Sequence, residues 1–134
     1  MTVVVDASAL VAILLKDAEA ARLQDALLAA SRLTISAFNL FEAHTVLLRS
    51  AEPTLTEDLA ELVDGLAIAP ASFDRRQSEL AFSAYRRFGH GSGHPARLNL
   101  GDCAAYALAM TLEAPLLFKG AGLSRTDVEP ALHA

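Results

Sequence analysis

Three acids stand where chemistry is possible. Asp6 directly follows Val3-Val4-Val5. Asp102 lies in Asn99-Leu100-Gly101-Asp102-Cys103, just inside an otherwise apolar stretch, and Glu42 sits among Leu40, Phe41, Ala43, Val46 and Leu47. Each also has a plainer reading. Asp6 could cap the helix that follows it, although Ser8, two residues on, could do so equally. With Asn99 as N-cap, Asp102 falls at N3, where free N–H groups and the helix dipole favour a carboxylate by up to ~1 kcal/mol. Glu42 could be an ordinary solvated helical acid, but helical spacing puts it on one side with Asn39, Thr45 and Val46, a half-polar face suited to a crevice wall. Gly101 is a poor helix former, which points to a close approach that a side chain would block.

Gathering three carboxylates has a cost. Two such charges about 4 Å apart repel by roughly 4 kcal/mol at an effective dielectric near 20. A hard divalent cation relieves that repulsion, and Mg²⁺ is commonly held by one or two carboxylates plus waters. Such a site can activate water for in-line attack on a phosphodiester, and Ser8 could help hold that water. An oxygen-only donor set suits Mg²⁺ or Mn²⁺ over Zn²⁺.

Other candidates are weaker. His90 and His94 have the spacing of a helical zinc pair, but Gly91-Ser92-Gly93 lies between them and no helix is expected there. Cys103 has no basic neighbour in sequence and sits among small apolar residues, which argues against a nucleophile. There is no P-loop, GxGxxG or GxSxG. Arg75, Arg76, Arg86, Arg87, Arg97, Lys119 and Arg125 all fall in the second half of the chain. Surface solvation explains each; Arg86, Arg87 and Lys119 could also gather near the crevice and grip phosphates.

The elements that must position these residues alternate short β-rich runs with longer helical ones. Thr2–Val5 is β-branched and too short for a helix, so it reads as a buried strand. Helices are expected over Ala9–Leu15, with Ser8 as N-cap, and over Ala18–Ala30. Leu33–Ser36 reads as a strand and Phe38–Ser50 as a helix stopped by Pro53. Thr54-x-x-Glu57 offers a capping box for a helix over Thr54–Leu62. A strand Leu66–Ala69 is closed by Pro70. Phe73–Phe88 is helical, with Ala81, Ala84, Tyr85 and Phe88 on one stripe and Arg75, Arg76 and Glu79 off it. Gly89–Pro95 is a glycine-rich loop, Leu100–Glu113 a nearly all-apolar helix, and Leu116–Phe118 a strand; the tail from Gly120 could add a short edge strand. This alternation predicts an α/β chain with a central parallel sheet covered on both faces, whose sites gather beyond the carboxyl ends of the strands.

With 134 residues, 53% apolar and 20% charged, the chain suits one compact domain with a sizeable core, and disorder is not expected. No apolar run approaches the roughly 20 residues of a membrane span, and the start lacks a signal peptide's positive region. A lone cysteine favours a reducing compartment, so the expectation is a soluble, cytoplasmic protein. The net charge of −5 is the wrong sign for binding nucleic acid through bulk charge; any such binding needs a specific site.

Read as an ordered set, these segments resemble a known family. Val3-Val4-Val5-Asp6-Ala7-Ser8-Ala9-Leu10 is similar to the first motif of PIN-domain ribonucleases, in particular the VapC-type toxins of bacterial toxin–antitoxin pairs. Ile35-Ser36-Ala37-Phe38-Asn39-Leu40-Phe41-Glu42 is similar to the second. Phe88 to Ala96 followed by Leu98 to Ala109 is the strongest match, and Leu116-Leu117-Phe118-Lys119-Gly120 with Thr126-Asp127 completes it. The resemblance spans essentially the whole chain. It implies a single PIN domain over 1–134, with a three-layer α/β/α architecture and Asp6, Glu42 and Asp102 as metal acids. It also implies Mg²⁺-dependent (or Mn²⁺-dependent) cleavage of RNA, often tRNA or ribosomal RNA, a homodimer and a cognate antitoxin. On this reading Asp6 and Asp102 bind metal directly, Glu42 binds directly or through water, and Ser8 and Asn39 support them. The family often has a fourth acid where this chain has Gly122. Asp127 is the nearby substitute, at a different spacing, which points to a one-metal site or a weakly held second ion.

Two alternatives remain. Without the acid at Gly122 the chain could be a catalytically weak module that works mainly by binding antitoxin or RNA. A haloacid-dehalogenase phosphatase also begins with a strand ending in Asp, but it needs a second acid where Ser8 stands.

Overall fold

The computed structural model describes residues 1–133. Strand β1 (Thr2–Val5) is followed by α1 (Ala7–Leu14) and α2 (Ala20–Ala29). Next come β2 (Arg32–Ser36), α3 (Ala37–Leu48), α4 (Leu55–Gly65) and β3 (Ala69–Ala71). The chain closes with α5 (Arg75–Phe88), α6 (Leu100–Leu112), β4 (Leu116–Leu117) and a 3₁₀ turn over Leu123–Arg125.

The four strands form one parallel sheet in the order β3-β2-β1-β4. β1 is central, and Val3, Val4 and Val5 are all buried. That is the mark of a strand covered on both faces. Pleating divides them: Val3 and Val5 pack with Leu10, Leu23, Leu27, Leu47 and Leu59 from α1 to α4, whereas Val4 packs with Ala84, Phe88, Ala105 and Leu108 from α5 and α6. Two cores on opposite sides of one sheet give the three layers expected from the alternating pattern.

Several boundaries differ from the sequence reading, each for a local reason. Helix α1 begins two residues earlier than Ser8 would allow, because Asp6 is the N-cap: its backbone is extended (φ −85°, ψ 152°) and its carboxylate accepts the Ser8 N–H at 3.1 Å. No capping box forms at Thr54, whose backbone is already helical and whose side chain makes no cap bond; Glu57 N–H donates to the Thr54 carbonyl instead. The strand expected over Leu66–Ala69 is displaced to Ala69–Ala71, because Leu66 ends α4 and Ala67 adopts a left-handed conformation (φ 52°). Pro70 therefore lies inside a strand. It is tolerated there because β3 is the sheet edge, where a missing N–H costs least. Helix α3 ends at Leu48, before Pro53 can act. Beyond Gly120 the tail forms the 3₁₀ turn, and its strand-like contact is a single bridge between Leu116 and Pro130. No helix among the described residues is long and apolar enough to cross a membrane.

Candidate active site

Asp6 leaves the carboxyl end of the central strand and is almost fully buried (3% exposed). Its N–H donates to the Leu117 carbonyl of β4 at 2.9 Å. Its carboxylate accepts two bonds from Ser8, from the N–H at 3.1 Å and the hydroxyl at 2.5 Å. The Ser8 hydroxyl in turn accepts the Lys119 N–H at 3.0 Å, so the segment after β4 steadies the acid through one serine. Asp6 thus serves both as helix cap and as crevice acid.

Asn39 joins the other members. It is fully buried on the first turn of α3, and its amide nitrogen donates to Asp6 Oδ1 at 3.5 Å, Glu42 Oε1 at 3.2 Å and the Gly101 carbonyl at 2.9 Å. All three partners accept, which dictates the amide orientation. Its own Oδ1 is buried without a protein partner. Glu42, one helical turn further along α3, is half-buried on the same face.

Asp102 occupies N3 of α6 in a complete capping box: Asn99 Oδ1 accepts the Asp102 N–H at 2.8 Å, and Asp102 Oδ2 accepts the Asn99 N–H at 3.0 Å. Gly101 is there for space. A Cβ at that position would lie 2.2 to 2.5 Å from the Glu42 carboxylate. The absent side chain lets α3 and α6 bring Glu42 and Asp102 to one crevice.

The electrostatics follow from this crowding. Burial pushes the Asp6 carboxyl from its ordinary 3.8 to about 7; the Ser8 hydroxyl opposes the shift, and the charges of Asp102 and Glu42 add to it. Glu42 is also raised, first by burial and then by the Asp102 charge, with Asn39 pulling the other way. Asp102 is raised by burial and held down by the Asn99 N–H. Three carboxylates that resist ionising together are a site that a cation would relieve.

Among the described residues, no three His, Cys, Asp or Glu side chains already converge as a metal cage. The donor chemistry nevertheless fits a hard divalent cation held partly through water. Every donor is an oxygen, and the unpartnered Asn39 Oδ1 adds an acceptor beside them.

The remaining candidates lie apart from this cluster. Asp127 is not gathered with the three acids: it accepts the Tyr106 hydroxyl at 2.5 Å and pairs with Arg87 at 3.7 Å. Arg87 also lies over the Phe88 ring, and the Lys119 ammonium pairs with Asp17. Arg86 is exposed in the last turn of α5. His94 packs edge-on against Phe88 and accepts the Ala96 N–H, while His90 faces Arg97, so the two histidines do not converge. Cys103 is buried, and its thiol is pushed up to about 12, mainly by burial.

The fourth-acid position is closed by packing. A Cβ on Gly122 would sit 2.9 Å from the Ala96 carbonyl and 3.4 Å from Leu98, so no acidic side chain fits without moving that loop. The sequence reading missed the Lys119 N–H on Ser8. A backbone donor leaves no trace in residue type.

The PIN domain family model matches residues 3–129, a span that includes all three acids. The chain belongs to the PIN-domain family. Within it, the chain is 42% identical over 129 residues to Ribonuclease VapC28 of Mycobacterium tuberculosis, covering 96% of this chain and 97% of that one. It is 40% identical over 131 residues to Ribonuclease VapC of Mycolicibacterium smegmatis, covering 97% and 99%. The crystal structure of Mycobacterium tuberculosis VapC20, a sarcin-ricin loop cleaving toxin, superposes with a TM-score of 0.77 over 94% of this chain and 95% of that chain. At 15% identity that likeness speaks for the PIN fold alone.

Proposed function

We propose that this PIN domain is a Mg²⁺-dependent endoribonuclease, the toxin of a toxin–antitoxin pair. The observation that carries the reading is the Asn39 hub, which ties acids from two segments to the turn that bears the third. The VapC ribonucleases that match nearly the whole chain support the same activity. Asp6 and Asp102 would hold Mg²⁺ (or Mn²⁺) directly, and Glu42 directly or through water. When bound, the cation offsets the mutual repulsion of the acids and supplies an activated water for in-line attack on a phosphodiester.

The residues of the chain do the rest. Ser8 and Asn39 hold the Asp6 carboxylate in one orientation, and the capping box does the same for Asp102. Glu42 keeps one oxygen on Asn39, which leaves the other to orient water. Closed packing at Gly122 favours a single-metal site. Arg86 is a candidate contact for RNA phosphates, with tRNA or ribosomal RNA as the substrate class.

A homodimer and a cognate antitoxin belong to the same proposal. Phe41, Phe82 and Leu100 are 67%, 62% and 66% exposed on α3, α5 and at the start of α6, which supports a second copy of the chain as a partner.

The test is cleavage of a mixed RNA pool by the purified protein, with Mg²⁺ and after chelation. Metal-dependent cleavage that is lost in Asp6→Asn is expected. Cleavage that persists without metal, or full activity in Asp6→Asn, would overturn the reading; Mg²⁺ titration without heat or cleavage would favour a binding module.

A further inference from the structure

Cations that grip RNA must lie near the acids, be held in position, and not be neutralised already. Arg87 and Lys119 fail the last condition, because Asp127 and Asp17 pair with them. Arg97 and Arg125 satisfy it, and both are held on the loop that leads into the Asp102 capping box. Among the described residues neither forms an ion pair with an acid.

Both arginines are anchored to the loop that leads into α6. That loop folds back on itself, with the Leu98 N–H donating to the Phe88 carbonyl and the His90 N–H to the Leu98 carbonyl, each at 2.9 Å. Arg97 sits just before the Asn99 cap, five residues ahead of Asp102, so at most about 18 Å of chain separates them. Its backbone is left-handed (φ 49°), uncommon for a residue with a side chain, and its guanidinium donates to His90 Nδ1 at 3.2 Å. Arg125 ends the 3₁₀ turn after β4 and donates to the Pro95 carbonyl at 3.1 Å. Gly122, in the same segment, packs against the Ala96 carbonyl of that loop. The segment leaves the sheet at Leu117, whose carbonyl accepts the Asp6 N–H. Arg97 therefore leads into the capping box that carries Asp102, and Arg125 is fastened to the same loop.

We infer that Arg97 and Arg125 form a two-cation clamp for the RNA backbone on the α6 side of the acid cluster, each taking one phosphodiester. The inference rests on the ribonuclease reading and deepens it. A guanidinium already fastened at one N–H keeps others for phosphate oxygens and loses little freedom on binding. The clamp also supplies the local positive charge that a chain of net charge −5 needs.

The experiment measures binding of a fluorescein-labelled, single-stranded RNA of mixed sequence in EDTA, by anisotropy, between 50 and 200 mM salt. Each phosphate contact contributes about 0.7 to the slope of log K against log salt. Arg97→Ala and Arg125→Ala should each lower that slope by about 0.7, and the double variant by about 1.4. Over this fourfold salt range wild type should then lose roughly 7-fold more affinity than the double variant. Arg97→Lys and Arg125→Lys should keep the slope, which separates lost charge from lost folding. Arg75→Ala, in the exposed pair with Glu79 at the far end of α5, should leave it unchanged. A double alanine variant with the wild-type slope overturns the clamp while leaving the ribonuclease reading intact. Wild type that neither binds this RNA nor cleaves RNA when Mg²⁺ is restored overturns both.

Discussion

Gly101→Ala should separate activity from stability. The new Cβ would lie 2.2 Å from Glu42 Oε2 and 2.4 Å from Oε1, against an ordinary contact of at least 3.4 Å. Relief requires the Glu42 carboxylate to retreat by about 1 Å, which breaks its 3.2 Å bond from Asn39. The clashing atoms are the far end of a flexible, half-buried side chain, so the fold can yield cheaply. Replacing Gly near a helix start stabilises by up to ~1 kcal/mol, comparable to the lost hydrogen bond at roughly 1 kcal/mol. The melting temperature should thus stay within a few degrees of wild type. Catalysis should not: an acid misplaced by about 1 Å costs on the order of 100-fold.

The assay is RNA cleavage under saturating Mg²⁺ beside thermal unfolding of the same samples. A double-mutant cycle sharpens it. In a Glu42→Ala background the obstructing carboxylate is gone, so adding Gly101→Ala should cost no further activity and should stabilise by up to ~1 kcal/mol. Full activity in Gly101→Ala, or a loss that multiplies with that of Glu42→Ala, would refute the idea that Gly101 acts by making room for Glu42.

Three further outcomes follow from the site. Because burial raises Asp6 to about 7 from an unfolded value near 3.8, the folded protein holds a proton that the unfolded chain releases; its stabilising contribution is complete below pH 3.8 and is lost as pH rises through 7. Metal-free protein should therefore lose that contribution progressively between about pH 4 and pH 7, and Mg²⁺ should raise the melting temperature more at pH 8 than at pH 5; an equal Mg²⁺ effect at both would count against the acid cluster as its site. Asn39→Ala leaves the Gly101 carbonyl and two carboxylates short of a donor, so about 1 to 3 kcal/mol of stability and most cleavage activity should go together, as denaturant titration and RNA assays would show. Asp127→Asn should weaken its contact with Tyr106 at a cost of about 1 kcal/mol yet leave Mg²⁺-dependent cleavage within a few fold; a large loss would bring Asp127 back into the metal site.

The features that depend on residue type and short spacing were legible in the sequence. Val3-Val4-Val5 could only be a strand buried on both sides, the Asn99–Asp102 box was readable from two residues three apart, and Gly101 announced a close approach before its neighbour was known. Illegible features turned on backbone angle or distant partners. Asp6 and Ser8 are equally good caps by type, and the extended backbone of Asp6 decided between them. Leu66 and Ile68 look like a strand, but a left-handed Ala67 intervenes, and Pro70 enters the sheet at an edge that sequence cannot place. The pairing of Lys119 with Asp17 spans 102 residues, so neither residue alone revealed that this cation was taken.

Asn39 draws its partners from far along the chain, Asp6 from 33 residues before it and the Gly101 carbonyl from 62 after it. During synthesis the first two acids emerge early, yet the turn carrying Asp102 and the β4 strand that supports Asp6 are made only about 60 to 75 residues after Glu42. A ribosome-bound fragment therefore lacks a complete site, however well its first helices pack. Catalytic competence is therefore gained as a late step of folding, once the segment carrying Asp102 and β4 joins helices that were made before it.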